Sequence, residues 1–138
     1  MAHKLHSTAQ MIKDVRMVID NGRSHSVCTD LPIDEGTDLG PTALELCLMS
    51  FTGCYATIFA LTAKKMRITL KDLEVNVEAI KTDEAGTIIE ANLDITVKTD
   101  APEDRIQRIH GLTVNCPVGK IFTKAGIETS YNLQIRRE

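Results

Sequence analysis

The chain has 138 residues, 43% hydrophobic and 25% charged, and its 16 Lys and Arg against 19 Asp and Glu leave a formal charge of -3. That length suffices for one domain with a real core, expected here over residues 1–138, and the composition argues against a disordered or repetitive chain. Scattered charges, 4% aromatic residues and no Trp leave neither a basic face for nucleic acid nor a platform for stacked bases, so a small neutral or anionic ligand suits the chain better.

The opening residues, MAHKLHSTAQMIKDVRMVID, carry Asp14 and Asp20 and no apolar run with a cleavage site, so no secretory signal is read there and a cytosolic location is expected. In a reducing cytosol Cys28, Cys47, Cys54 and Cys116 are expected as thiols rather than structural disulfides. Within QMIKDVRMVID, Val15, Met17 and Ile19 alternate with Arg16 and Val18 and run into Asn21-Gly22, a hairpin signal. Two antiparallel strands are predicted to meet there, the second passing through SHSVCTDL. Pro32, Gly36 and Gly40 make PIDEGTDLGP a loop of about ten residues, a length that often carries function. From Thr42 to Met66 no strong breaker interrupts Leu, Met, Ala and Phe, which predicts one helix of about 25 residues and about 37 Å. Its apolar positions cover nearly the whole circumference, so burial on most sides is expected.

DLEVNVEAI alternates Leu73, Val75, Val77 and Ala79 with Glu74, Asn76 and Glu78, the period of a half-buried strand. TIIEANLDITVKT repeats that pattern after the turn-forming KTDEAG, which predicts a second hairpin. PEDRIQRIHGL reads as a helix with acids in its first turn, Gly111 helping to end it. NCPVGKIFTKAG reads as a short helix with Pro117 in its first turn and Gly126 at its stop, and IETSYNLQIRR as a final strand. The order β-hairpin, long helix, β-hairpin, two helices, strand belongs to the α+β class.

ELCLMSFTGCYATIFALTAKK sets Cys54 inside an uncharged run of eighteen residues, Leu46 to Ala63. Such a run raises a membrane span. Ser50, Thr52, Gly53, Thr57 and Thr62 dilute it, however, and the amphipathic hairpins on either side need water on their polar faces, so a buried helix of a soluble protein is preferred. A buried cysteine is commonly a small core hydrophobe, and Cys28 and Cys47 are read that way. Cys54 differs because Gly53 opens the helix surface beside it and Ser50, Thr57 and Thr62 lie broadly on its side. Cys116 starts a helix, where unpaired amides and the dipole favour a thiolate, so it is expected to be the more acidic thiol. Metal binding through His25, His110 or the cysteines is not expected without C-x-x-C or H-x-x-x-H spacing, and no Gly-rich phosphate loop implies a nucleotide cofactor. His110 is read as a dipole partner at a helix end. Spacing along the chain leaves open whether Cys54 and Cys116 meet.

GPTALELCLMSFTGC resembles the segment that opens the central helix of the OsmC/Ohr family, and VNCPVGKIF resembles that family's second cysteine motif. Element order and the gap between the cysteines also fit, so the likeness spans nearly the whole chain. The resemblance implies an OsmC-like fold assembled as an intertwined homodimer, two long helices wrapped by sheets from both chains, with active sites at the subunit interface. It further implies thiol-dependent reduction of organic hydroperoxides, Cys54 being peroxidatic and Cys116 resolving, with a dithiol such as dihydrolipoamide as reductant and no cofactor. The arginine that supports the thiolate in that family is matched best by Arg23 in NGRSH, then by Arg16, the alternative being a solvated turn residue. The family's glutamate near the helix start is matched by Glu45. Aligned on Cys54, however, the family's Pro-Glu pair falls at Ala43 and Leu44, so Glu45 stands one position late, about 100° round the helix. Glu45 is alternatively only an acid at a helix N-terminus. That displacement favours a second reading, an OsmC-like dimeric stress protein that binds an apolar ligand without peroxide turnover.

Overall fold

A computed structural model describes residues 1–137, and the chain divides into two compact units, Met1–Cys47 and a second from Leu48 onward. The first unit holds β1 (Thr8–Lys13), β2 (Arg16–Asp20) and β3 (Ser26–Thr29) in an antiparallel sheet of order β1-β2-β3. The segment QMIKDVRMVID, read as one strand leading to the Asn21-Gly22 turn, therefore holds parts of two strands. Asp14 adopts a left-handed φ of 54°, which folds the chain back at Asp14-Val15, and a bulge lies between Met11 and Lys13. Aspartate tolerates that conformation better than most residues, a signal that the alternation around Val15 masked. The turn at Asn21-Gly22 stands where expected, but as a wider loop closed by Asn21 N donating to the His25 carbonyl.

The long loop after β3 is built around Asp30, which is 3% exposed. Its carboxylate accepts from the amides of Leu31 (2.8 Å), Leu39 (3.1 Å) and Thr37 (3.4 Å) and from the Thr37 hydroxyl (2.5 Å). The Thr37 bond, helped by the amides and opposed by burial, lowers the Asp30 pKa to about 2. A Cβ at Gly36 would sit 2.5 Å from Asp30 Oδ1, so only glycine lets the loop wrap this closely.

The helix α1 (Ala43–Lys65) matches the expected span within a residue or so at each end. Its entry is a capping box that the pattern Thr42-x-x-Glu45 encodes: Glu45 N donates to Thr42 Oγ1 at 3.0 Å, and Glu45 Oε1 accepts from Thr42 N at 2.9 Å. In the second unit β4 (Asp72–Thr82) and β5 (Thr87–Lys98) form the expected antiparallel hairpin. α2 (Glu103–Thr113) and α3 (Pro117–Lys124) then carry the chain to β6 (Glu128–Arg136), which pairs in parallel with β5 in a sheet of order β4-β5-β6. α2 runs on past Gly111 to Thr113, because one glycine costs a helix only about 1 kcal/mol while Ile106, Ile109 and Thr113 bury one face. Gly126, at φ 78°, does follow the end of α3 as expected.

Register places Leu73, Val97 and Ile135 in one row across this sheet, Val75, Ile95 and Leu133 in the next, and Val77, Leu93 and Tyr131 in a third. These rows face a core completed by Phe51, Tyr55, Phe59 and Ala63 of α1, Ile106 and Ile109 of α2, and Cys116 and Phe122. Full burial of each aliphatic side chain contributes about 1.5–3 kcal/mol. The helix itself departs from expectation. Only the i, i+4 stripe from Phe51 to Ala63 is buried, while Met49 and Leu61 remain 55% and 43% exposed. By length and composition α1 could cross a membrane, yet its buried stripe is committed to the core of this unit.

Candidate active site

The α1 helix and the start of α3 bring Cys54 and Cys116 together. Cys54 lies beside the buried stripe and is half-buried; Cys116, directly before Pro117, is 2% exposed. Their side chains are hydrogen-bonding neighbours, and no disulfide joins them. Helix geometry explains the placement. Cys54 is flanked in α1 by Phe51 and Tyr55 of the core stripe, and Phe51 packs on Phe122 of α3 with ring centroids 4.4 Å apart. That contact fixes α3, and hence the residue before it, against the turn of α1 that carries Cys54.

The expected acidity of Cys116 is overturned. Burial pushes its thiol up to about 11 from an ordinary 9.0, and the neighbouring Cys54 raises it further, while the amides of Gly119 and Val118 pull the other way without closing a capping hydrogen bond. Two amide dipoles at the start of a short helix do not repay the loss of water around a thiolate. At pH 7 a thiol of that pKa is ionised about once in ten thousand. Cys116 therefore waits as a protonated thiol, which suits a group that acts second.

Two residues not expected at the site border it. Tyr55, wholly buried, places its hydroxyl 2.5 Å from Nδ1 of His110. The His110 ring stands edge-on to Tyr131 at 5.2 Å, and Tyr131 stacks on Tyr55 at 6.0 Å. Burial raises the Tyr55 pKa and lowers that of His110, so both are neutral at pH 7. His110 is thus the half-buried partner of a buried tyrosine, beyond the helix-end role read for it. The sequence signal was a phenol standing in an i, i+4 stripe between Phe51 and Phe59, since a buried Tyr needs a partner for its hydroxyl.

The remaining candidates belong to the first unit. Arg23 is exposed in the loop after β2, its amide held by Asn21 Oδ1 at 3.0 Å. Arg16, half-buried in β2, donates from Nη1 to Thr37 Oγ1 at 3.2 Å. Glu45 is committed to the capping box. Cys28 is half-buried, whereas Cys47, read as core, is exposed, although it stands four residues before Phe51 in the same i, i+4 row. A Cβ at Gly53 would meet nothing within 4 Å, so the close approach read for that glycine is not made within the chain. His25 is tied to the Asn21 side chain at 3.1 Å, and no cluster of three or more His, Cys, Asp or Glu gathers among the described residues.

The chain is thus an α+β protein of two units whose Cys54 and Cys116 side chains meet where α1 packs against α3. The sequence profile of the OsmC-like protein family matches residues 36–132, and the chain belongs to that family. Its fold is shared by solved structures. An OsmC-like protein from Mycoplasma pneumoniae is 20% identical with a TM-score of 0.82, covering 99% of each chain. A protein from Psychrobacter arcticus, titled for an osmotic stress and detoxification response, is 18% identical with a TM-score of 0.84, covering 97% of this chain and 98% of that one. The organic hydroperoxide resistance protein OhrB of Bacillus subtilis is 17% identical with a TM-score of 0.63, covering 96% and 98%. No curated protein matches the sequence.

Proposed function

We propose that the protein is a cytosolic thiol peroxidase that reduces organic hydroperoxides in a stress response. The observation that carries this reading is the contact between the Cys54 and Cys116 side chains, residues far apart in the chain. Family membership and the likeness to a hydroperoxide resistance protein point the same way. In this reading the Cys54 thiolate attacks the terminal peroxide oxygen, the O–O bond breaks, and the alkoxide leaves as alcohol after taking a proton. Cys54 is left as a sulfenic acid. The Cys116 sulfur then displaces that hydroxyl, which departs as water with the Cys116 proton, and a disulfide forms. A dithiol such as dihydrolipoamide returns both thiols by exchange and is itself oxidised.

Homodimerisation belongs to the same reading, because a partner would cover the apolar residues of α1 that the chain leaves exposed, Met49 and Leu61 among them. Arg23, or Arg16 in its place, supplies the cation that a thiolate in apolar surroundings needs. Glu45 orients it only at the expense of its capping bonds. That commitment of Glu45 favours the second reading, a dimeric protein that binds an apolar ligand without turnover.

The deciding experiment is dihydrolipoamide-coupled reduction of cumene hydroperoxide by wild type, Cys54→Ser and Cys116→Ser. Wild type is expected to turn over, Cys54→Ser to be inert, and Cys116→Ser to stall as a sulfenic acid. Equal consumption by all three would end the proposal. Alkylation of Cys54 against pH separates the second reading, since a catalytic thiol reacts well below the free-thiol value of about 8.5.

A further inference from the structure

Tyr55 follows Cys54 directly in α1, and His110 lies in the last turn of α2, from whose end only Val114 and Asn115 lead to Cys116. Their 2.5 Å hydrogen bond therefore ties the residue next to one thiol to the helix end just before the other. The bond is part-buried: Tyr55 is 0% exposed, while His110 and Tyr131, which closes the triangle of rings, are half-buried. Both groups are neutral, so one proton is shared between the Tyr55 hydroxyl and Nδ1 in a bond whose direction follows the His110 tautomer. A phenylalanine would fill the same core volume without needing a partner. The polar pair instead specifies one arrangement of α2 against α1, because breaking it strands the hydroxyl of a buried tyrosine without a partner.

A disulfide tolerates little error, since the two Cα atoms must lie within about 4.4–6.8 Å with the Cβ atoms facing. We propose that Tyr55 and His110 are positioning residues, a clasp that holds the Cys54 and Cys116 sulfurs at bonding separation and so governs disulfide formation. This rests on the dithiol reading of the site. The step served is the condensation in which the Cys54 S–O bond breaks, the S–S bond forms, and the hydroxyl leaves as water with the Cys116 proton. Attack on peroxide happens at Cys54 before the clasp matters.

The test uses the full chain as wild type, Tyr55→Phe, His110→Leu and His110→Asn, whose side-chain amide can accept from or donate to the Tyr55 hydroxyl in place of Nδ1. One equivalent of cumene hydroperoxide is added, with dimedone trapping sulfenic acid and mass spectrometry counting the Cys54–Cys116 crosslink. Diamide, which takes two electrons and two protons from the thiols, makes the same disulfide without peroxide. Relative to its own peroxide consumption, crosslinking should slow at least about tenfold in Tyr55→Phe and His110→Leu, as a misplacement of about 1 Å would cause. Their sulfenic acid should accumulate, and His110→Asn should recover most of the rate. Tyr55→Phe crosslinking with diamide at the wild-type rate overturns the clasp, as does His110→Asn behaving like His110→Leu. Wild type that crosslinks with diamide but never forms sulfenic acid with peroxide overturns the peroxidase reading and leaves the clasp standing.

Discussion

Gly119→Ala probes the packing of the resolving thiol most directly. Gly119 is buried in the first turn of α3, and a Cβ there would stand 3.1 Å from Cys116 Sγ, 3.2 Å from the Val114 carbonyl oxygen and 3.4 Å from Phe51 Cε1. All three are inside the ordinary separation of about 3.5–4.0 Å. Alanine is worth up to about 1 kcal/mol over glycine within a helix, less in a first turn. Overpacking a core costs about 1–3 kcal/mol. Which neighbour yields decides the outcome. Phe51 is held against Phe122, the Val114 carbonyl belongs to the backbone at the end of α2, and the sulfur needs only to turn about one side-chain bond. The strain therefore goes into Cys116, and a net loss of about 1 kcal/mol is expected. Urea unfolding of the reduced protein measures it as a lower midpoint at unchanged slope. Diamide crosslinking should slow in the same variant, because the sulfur that moves is the one that must reach Cys54. A gain in stability with crosslinking at the wild-type rate would refute the reasoning, since it would mean that space exists around Sγ.

Phe51→Ala removes the ring that seats α3 and should cost about 3–5 kcal/mol in the same urea assay. Acid should weaken the fold in two stages. Burial lowers the His110 pKa from 6.5, so the unfolded chain takes up that proton first, and stability falls as pH drops through 6.5 towards the folded value; His110→Asn should flatten this stage in pH-dependent melts. Asp30 contributes stability above 3.8 that is lost as pH falls towards about 2, so Asp30→Asn should remove the second stage while making the loop between β3 and α1 more open to proteolysis at neutral pH. At the alkaline end, stability should decline from pH 9 towards 11 as the unfolded Cys116 ionises before the folded one, and Cys116→Ser should remove the part below pH 10, leaving the decline above 10 that the raised pKa of Tyr55 adds.

Local chemistry in the sequence determined most of the elements. The alternation from Leu73 to Ala79, the acids opening α2, Pro117 opening α3 and the absence of breakers from Thr42 to Met66 each act within a few residues, and each element lies where they place it. The same local reading mistook Asp14-Val15 for strand, because two short strands with one bulge keep an alternation close to that of a single long one. Of the site, the two motifs containing Cys54 and Cys116 were legible, and the capping role of Glu45 was written in Thr42-x-x-Glu45.

Tertiary structure decided what depends on distance through space. Packing of Phe51 on Phe122 makes neighbours of two thiols that no spacing rule could pair, and the desolvation that comes with this packing outweighs the helix amides, so the Cys116 thiol is raised above its ordinary pKa. The Tyr55–His110 bond likewise joins helices far apart in sequence, and neither residue alone announces the other. Hydrogen bonding along a segment is local and can be read from its residues, whereas burial and the charges around a group are sums over everything packed against it.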